Sequence, residues 1–73
     1  MTITPIGANQ TQLHTDKGVI FFSYKTPVAA AVDGNWFRTS KKWSATTSRH
    51  INKWLDGRNA EEKDQSFFDS LAA

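Results

Sequence analysis

The stretch VIFFSYKTPVAAAVDGNWFRT, residues 19–39, decides the fold of this chain. Residues 19–24 are β-branched and aromatic, a composition typical of strands. A break that contains proline separates them from residues 28–32, and the Asp-Gly pair at 33–34 is a strong hairpin signal. Residues 36–39 then form the return strand. The stretch therefore predicts three antiparallel strands, because short turns join antiparallel neighbours.

The side chains of these strands alternate between two faces of a sheet. In the first strand Phe21 and Phe22 point to opposite faces, which predicts a central strand with packing on both sides. In the second strand Val28 and Ala30 are expected on one face, and Ala29 on the other.

Strand signals continue toward the amino terminus. Residues 11–15 alternate in polarity around Leu13, and residues 15–18 supply turn chemistry with aspartate and glycine. Residues 2–6 are a weaker candidate strand. The sequence therefore predicts a sheet of four or five antiparallel strands.

The hydrophobic period changes after residue 45 to that of a helix. Thr46 or Thr47 is expected to cap this helix, which continues through Asp56 and ends at Gly57. The face expected to pack on the sheet carries Ile51, Trp54 and Leu55. A basic flank on a different arc carries Arg49, His50 and Lys53.

The last fifteen residues, 59–73, differ from the rest in charge. They contain one lysine and four carboxylates, a net charge of −3, whereas residues 1–58 contain eight Lys or Arg and three Asp, a net charge of +5. Two glutamates in the first turn suit the positive end of a helix. Phe67, Phe68 and Leu71 form an apolar patch that either docks on the body or contacts a partner protein.

These patterns predict an α+β domain: a small antiparallel sheet of four or five strands with one or two C-terminal helices packed on one face. With 73 residues the chain, residues 1–73, is expected to be a single domain. Its parts are a strand-rich region (1–45), an amphipathic helix (46–57) and an acidic C-terminal helix or tail (59–73). The chain has no cysteine, so no disulfide supports this small core, and a homodimer is one way to bury more surface.

The sequence does not predict an enzyme. Ser48 and His50 are two residues apart, which on a helix points them away from each other. The chain has only two histidines, no thiol and no glycine-rich phosphate loop, since its four glycines are dispersed. We therefore expect no catalytic residue, no metal, no cofactor and no small-molecule substrate.

A basic and aromatic segment around residues 36–58 is the best candidate for a binding surface. Tryptophan and arginine are enriched at the cores of protein interfaces. Cations that follow phosphates, with aromatic rings that stack on bases, are also typical of nucleic-acid binding. The candidate contact residues for either partner are Arg38, Lys41, Lys42, Trp43, Arg49, His50 and Lys53.

Three segments carry a resemblance to a known group of proteins: TPVAAAV, FRTSKKWS and above all TTSRHINKWL. They resemble a family of small proteins of unknown function encoded mainly by bacteriophages and by prokaryotic genomes with mobile elements. The resemblance covers roughly residues 8–57, with residues 46–55 as its most specific part, and does not extend to the acidic tail. It implies a phage or mobile-element origin and the cytoplasm of a bacterial host, and it brings no activity, cofactor or catalytic residue.

The leading expectation is a small non-enzymatic binding protein, phage-encoded, that acts by binding a host or phage protein. The alternative is a nucleic-acid-binding protein that uses the basic and aromatic segment. The amino terminus lacks a basic leader, and the apolar runs are far shorter than the roughly 20 residues of a membrane span. We therefore expect a cytoplasmic protein without a membrane partner.

Overall fold

The computed structural model describes residues 2–72, which form six strands and two helices. The strands are β1 (Thr2–Gly7), β2 (Gln10–Thr15), β3 (Gly18–Ser23), β4 (Thr26–Val32), β5 (Asn35–Thr39) and β6 (Glu61–Lys63). The helices are α1 (Ala45–Leu55), between β5 and β6, and α2 (Gln65–Ala72) at the end. The predicted α+β class is confirmed.

All six strands belong to one sheet, in the order in which they occur in the chain. β1 to β5 form the predicted antiparallel meander, and β6 lies beside β5 in the parallel direction. The sheet is thus mixed and has six strands rather than four or five. The strand that the sequence did not predict is only three residues long and lies in the segment expected to be helical. Its parallel direction follows from α1, which acts as the crossover that parallel neighbours require.

The two helices cover opposite faces of the sheet, which corrects the prediction that they pack on one face. Trp36 and Phe37 are neighbours in β5 and therefore point to opposite faces. The Trp36 ring lies 5.2 Å from the ring of Trp54 in α1, and the Phe37 ring lies 5.2 Å from the ring of Phe67 in α2. Each helix has an apolar stripe, and the sheet offers an apolar surface on both sides.

The core under α1 contains the helix face that the sequence predicted. Ile51 and Leu55 pack with three residues of β3 and β4, which are Phe21, Val28 and Ala29. A bulge opposite Phe21 and Phe22 brings Val28 and Ala29 into the same cluster, because it shifts the alternation of β4 by one residue. This corrects the expectation that Val28 and Ala29 lie on opposite faces.

The core under α2 is smaller. Ile20 and Ala30 are adjacent across β3 and β4 and are fully buried on the face opposite Phe21 and Ala29. α2 packs against these two strands and contributes Phe68, which is also fully buried. The acidic C-terminal segment is therefore docked on the body of the protein.

The N-cap of α1 lies two or three residues earlier than the predicted Thr46 or Thr47. Ser44 is the N-cap residue, and its Oγ accepts a hydrogen bond of 3.1 Å from the backbone nitrogen of Thr47. Thr47 is itself buried and faces the sheet, so its hydroxyl is not free to cap the helix. At the other end Asp56 has a left-handed conformation, next to the predicted stop at Gly57.

Candidate functional site

A cleft of about 360 Å³ lies where β5 ends and α1 begins. It brings together the four candidate contact residues that come before α1, which are Arg38, Lys41, Lys42 and Trp43. We call it the cationic cleft. The first two turns of α1, Glu62 of β6 and the remaining residues of the connection between β5 and α1 also line it. The bend after β5 positions these side chains, because it turns the chain from the sheet edge into the helix.

Arg38 forms the inner wall of the cationic cleft. It is half-buried, and its Nη1 donates a hydrogen bond of 3.0 Å to Oδ1 of Asn52 in α1. Its register partner on β6 is Glu62, whose exposed carboxylate lines the same cleft. Three cations therefore face one carboxylate, and the cleft carries a net charge of two positive units.

Trp43 is the aromatic residue of the cleft, and its side chain belongs to the large hydrophobic residues that are exposed, at 42%. The Nζ of Lys41 lies 4.2 Å from the centre of its ring, in a cation–π contact. The indole Nε1 donates a hydrogen bond of 3.2 Å to Oε1 of Gln65. The ring is therefore held at its nitrogen while much of its surface remains open to solvent.

Gln65 is a residue of the site that sequence reasoning missed. Its Oε1 also accepts a hydrogen bond of 2.9 Å from the Thr39 hydroxyl. Its Nε2 donates to the carbonyl oxygen of Pro27 at 2.7 Å and to Oδ1 of Asp69 at 3.1 Å. One side chain at the start of α2 thus connects β4, β5 and the cleft. No signal in the sequence singled it out, because a glutamine in an acidic helix is typical of a solvated surface.

Arg49 and Lys53 do not join the cationic cleft. Both are exposed, and at about 100° per residue they fall on the side of α1 opposite its buried residues, Thr47, Ile51 and Leu55. The Nη2 of Arg49 makes only a long contact, 3.4 Å, with the hydroxyl of Thr46. The two cations therefore form a separate solvent-facing pair.

His50 does not lie with these two solvent-facing cations, which corrects the prediction of one basic flank that carries all three residues. It turns toward β3, where its Nδ1 lies 2.9 Å from Oγ of Ser23. Ser23 is 2% exposed, and its hydroxyl also donates to Oγ1 of Thr47 at 3.2 Å. A serine hydroxyl this deeply buried cannot reach a substrate, so the pair ties α1 to the sheet. The alternation of β3 places Ser23 on the same face as Phe21, which is the face that α1 covers. This alternation is the sequence feature that could have predicted the contact between Ser23 and His50.

The three residues of the suggested protein-contact tail belong to α2, which is docked on the sheet. Phe68 is fully buried, and Phe67 and Leu71 are half-buried. Phe67 also contacts the Phe68 ring edge-on, with 5.1 Å between ring centres. Because α2 uses this apolar stripe to dock, Phe68 is closed to a partner protein, and this corrects the hypothesis that it makes such a contact.

A second open surface lies on the face of the sheet that carries α2, where β1, β2 and β3 meet. Ile3, Leu13 and Phe22 of β1 to β3 line a shallow groove of about 270 Å³ together with Thr11, Tyr24 and Lys25. Ile3 is 68% exposed and Tyr24 is 50% exposed. We call this surface the open apolar patch, and sequence reasoning did not identify it.

A protein-family model described as a family of unknown function, DUF8033, matches residues 1–70. The chain belongs to this family. No curated protein and no solved structure matched the chain.

The DUF8033 match extends beyond residues 8–57 on both sides, the segment that carries the resemblance to small phage-encoded proteins. It includes β6 and most of α2, so Gln65 and the docked phenylalanines belong to the family domain. The cationic cleft, whose wall is fixed by Gln65, is therefore built entirely from residues that the family model covers.

Two further observations concern the described part of this DUF8033 chain, residues 2–72. It contains no group of three or more histidine, cysteine or acidic residues arranged to hold a metal ion. Neither of its helices has the length and apolar character needed to cross a membrane.

Proposed function

We propose that the chain is a small non-enzymatic protein that binds nucleic acid through the cationic cleft. The observation that carries the proposal is the meeting of Arg38, Lys41, Lys42 and Trp43 in one cleft of about 360 Å³. Nucleic-acid sites combine cations that follow the phosphates with aromatic rings on which bases stack. The cleft offers both within a single concave surface.

The charges of the cleft suit phosphate groups in two different ways. Arg38 is held by Asn52 and lies within the wall, so it presents a fixed guanidinium. Lys41 and Lys42 are exposed, and their flexible stems allow the ammonium groups to follow a strand. Neutralised phosphates release their counterions, so the affinity should fall steeply as salt rises.

The buried position of Ser23 supports a role without catalysis. Its contact with His50 is the one pairing of a serine and a histidine among the hydrogen bonds of residues 2–72. A nucleophile must reach the substrate, and this hydroxyl is 2% exposed.

Fluorescence anisotropy of labelled DNA and RNA oligonucleotides tests the proposal. We expect the wild-type protein to bind at low salt and to lose affinity between about 50 and 200 mM salt. The double variant Lys41→Ala/Lys42→Ala should weaken binding and reduce the slope of log affinity against log salt by about 1.4 for a single strand.

The matched control is Arg49→Ala/Lys53→Ala, which also removes two cations but from the solvent-facing pair. It should retain most of the affinity and the salt dependence of the wild type. If the two double variants lose affinity equally, net charge rather than the cleft governs binding. The absence of binding to any oligonucleotide at micromolar protein would remove the proposal.

A second candidate function, binding of a host or phage protein, is favoured by the open apolar patch. Exposed apolar surface with an aromatic residue is typical of protein interfaces. Lys25 at its rim favours a partner with an acidic residue beside an apolar surface. Ile3→Ser should abolish recovery of such a partner from a host lysate and leave oligonucleotide binding unchanged. Light scattering of both proteins would distinguish this partner from a second copy of the chain.

We also propose that the protein is encoded by a phage or a mobile element and acts in the cytoplasm of its bacterial host. The support is the resemblance of residues 46–55 to small proteins of that origin. Fractionation of infected cells with an antibody against the protein tests the compartment, and recovery in the periplasm would contradict it.

A further inference from the structure

We infer that the cationic cleft selects an unpaired strand and stacks one of its bases on Trp43. This inference rests on the proposed nucleic-acid function and names the form of the ligand. It requires an accessible ring in a fixed position, cations within reach of the neighbouring phosphates, and a reason why a duplex would bind less well.

The Trp43 ring is both open and fixed. It is 42% exposed, and its Nε1 is anchored to Oε1 of Gln65 at 3.2 Å. Gln65 is itself held by the Thr39 hydroxyl at 2.9 Å and by its own bond to the Pro27 carbonyl at 2.7 Å. A ring fixed in this way loses little conformational freedom when a base stacks on it, and pre-organisation of this kind raises affinity.

The contact between Lys41 and Trp43 provides a cation at the place where a base would bind. Its Nζ lies 4.2 Å from the ring centre. A cation–π contact at an exposed site is weak compared with stacking between a base and an aromatic ring. A base can therefore displace the ammonium, and the exposed lysine side chain is then free to contact a phosphate of the strand.

The dimensions of the cleft also favour a single strand. Its volume of about 360 Å³ is at the lower end of the ~300–1,000 Å³ typical of sites for small ligands, so it can hold one nucleotide and cannot enclose a duplex. In a duplex the faces of the bases are covered by their neighbours, and only the phosphates would reach the cleft. An unpaired strand offers a base for Trp43 and phosphates for Arg38 and Lys42 together.

The test compares oligo-dT with an abasic strand of the same length and charge. Both carry the phosphates, and only oligo-dT carries bases. For the wild-type protein we expect oligo-dT to bind about tenfold more tightly than the abasic strand, the range that stacking of one base supports. Trp43→Leu should remove this difference, because leucine offers no ring on which a base can stack, whereas Trp43→Phe should retain part of it.

The outcomes separate this inference from the proposed function. Equal affinity of the wild-type protein for both strands would overturn the stacking on Trp43, while the phosphate site would stand. No binding to either strand would overturn the proposed function itself. If Trp43→Leu weakens binding to both strands equally, the ring has only a structural role and the inference fails. Circular dichroism of each variant establishes that it is folded.

Discussion

Trp43 is tied to Gln65 by a hydrogen bond of 3.2 Å from its indole Nε1 to the amide oxygen of the glutamine. This bond joins the wall of the cationic cleft to the first residue of α2. α2 docks on the face of the sheet opposite α1, whereas the cleft includes the first turn of α1. The acidic C-terminal helix and the cleft are therefore coupled, although they differ in charge and lie on different faces.

Gln65→Ala should destabilise the protein and loosen Trp43. It removes a side chain that makes four hydrogen bonds, and it leaves the carbonyl of the buried Pro27 and the hydroxyl of the buried Thr39 without this partner. We expect the free energy of unfolding to fall by about 1–3 kcal/mol, measured by urea denaturation. The control is Ser70→Ala, an exposed position of the same helix, which should change it by less than about 0.5 kcal/mol.

Phe68→Ala should detach α2 from the sheet. The ring is fully buried, and its removal should lower the free energy of unfolding by about 3–5 kcal/mol, a large share of the stability of so small a domain. Phe67→Ala, at the half-buried neighbouring position, should have a smaller effect. If Phe68→Ala does not unfold the whole domain, hydrogen exchange should show α2 open and β3 protected. Equal stability of Phe68→Ala and the wild type would contradict the docked position of the helix.

The local elements of this fold could be predicted because their signals are short-range. The Asp33-Gly34 turn has positive φ at both residues, 52° and 79°, as an Asp-Gly hairpin requires. The periodicity of Ile51 and Leu55 likewise identified the buried face of α1. Such patterns depend only on residues a few positions apart, so one sequence suffices to recognise them.

The side of the sheet on which each helix packs could not be predicted in the same way. β3 is apolar on both faces, so its pattern admits a helix on either one. The position of β6 was equally hidden, because three polar residues at an edge carry no periodic signal. The candidate site divides in the same way. The sequence identified the cations and Trp43 of the cleft. It did not predict the contacts of His50, Gln65 and Glu62, because those contacts join elements that are distant in the sequence.

Trp54 and Trp43 should respond differently to replacement by alanine. The Trp54 ring stacks on Phe21 with 5.2 Å between ring centres, and its Nε1 donates to Oε1 of Gln12. Trp54 is half-buried, so Trp54→Ala should lower the free energy of unfolding by about 3 kcal/mol, the lower end of the range for a buried tryptophan. Trp43→Ala removes an exposed ring and one hydrogen bond, so we expect a loss of at most about 1.5 kcal/mol. Thermal and urea denaturation followed by circular dichroism compare the two, and a larger loss for Trp43 would show that the assignment of core and surface is reversed.

Gly18 and Gly34 offer a matched test of the strand geometry. Both have positive φ, but a Cβ at Gly18 would collide with the carbonyl oxygen of Ala31 in the neighbouring strand, whereas a Cβ at Gly34 would meet open space. Gly34→Ala should cost about 1–2 kcal/mol from its left-handed backbone alone. Gly18→Ala should cost clearly more, because β3 or β4 must shift to relieve the clash. Equal melting temperatures for the two variants would contradict the pairing of β3 with β4 at this end.

Glu62→Gln should raise the affinity of the protein for oligonucleotides. The carboxylate of Glu62 lines the cationic cleft beside Arg38, where it repels phosphate groups. Two exposed charges about 4 Å apart interact by roughly 1 kcal/mol in water, so its removal should increase affinity by up to about fivefold at low salt. The gain should shrink as salt rises, because added ions screen exposed charges. Anisotropy titrations at several salt concentrations measure both effects.

The control is Glu61→Gln, which changes the net charge of the protein by the same amount. Glu61 and Glu62 are neighbours in β6 and point to opposite faces, and the Glu61 carboxylate lies 2.7 Å from Nζ of Lys63, outside the cleft. If the cleft is the binding site, Glu62→Gln should gain more affinity than Glu61→Gln. An equal gain would mean that only the overall charge attracts nucleic acid, and a gain confined to Glu61→Gln would move the site to the other face of the sheet.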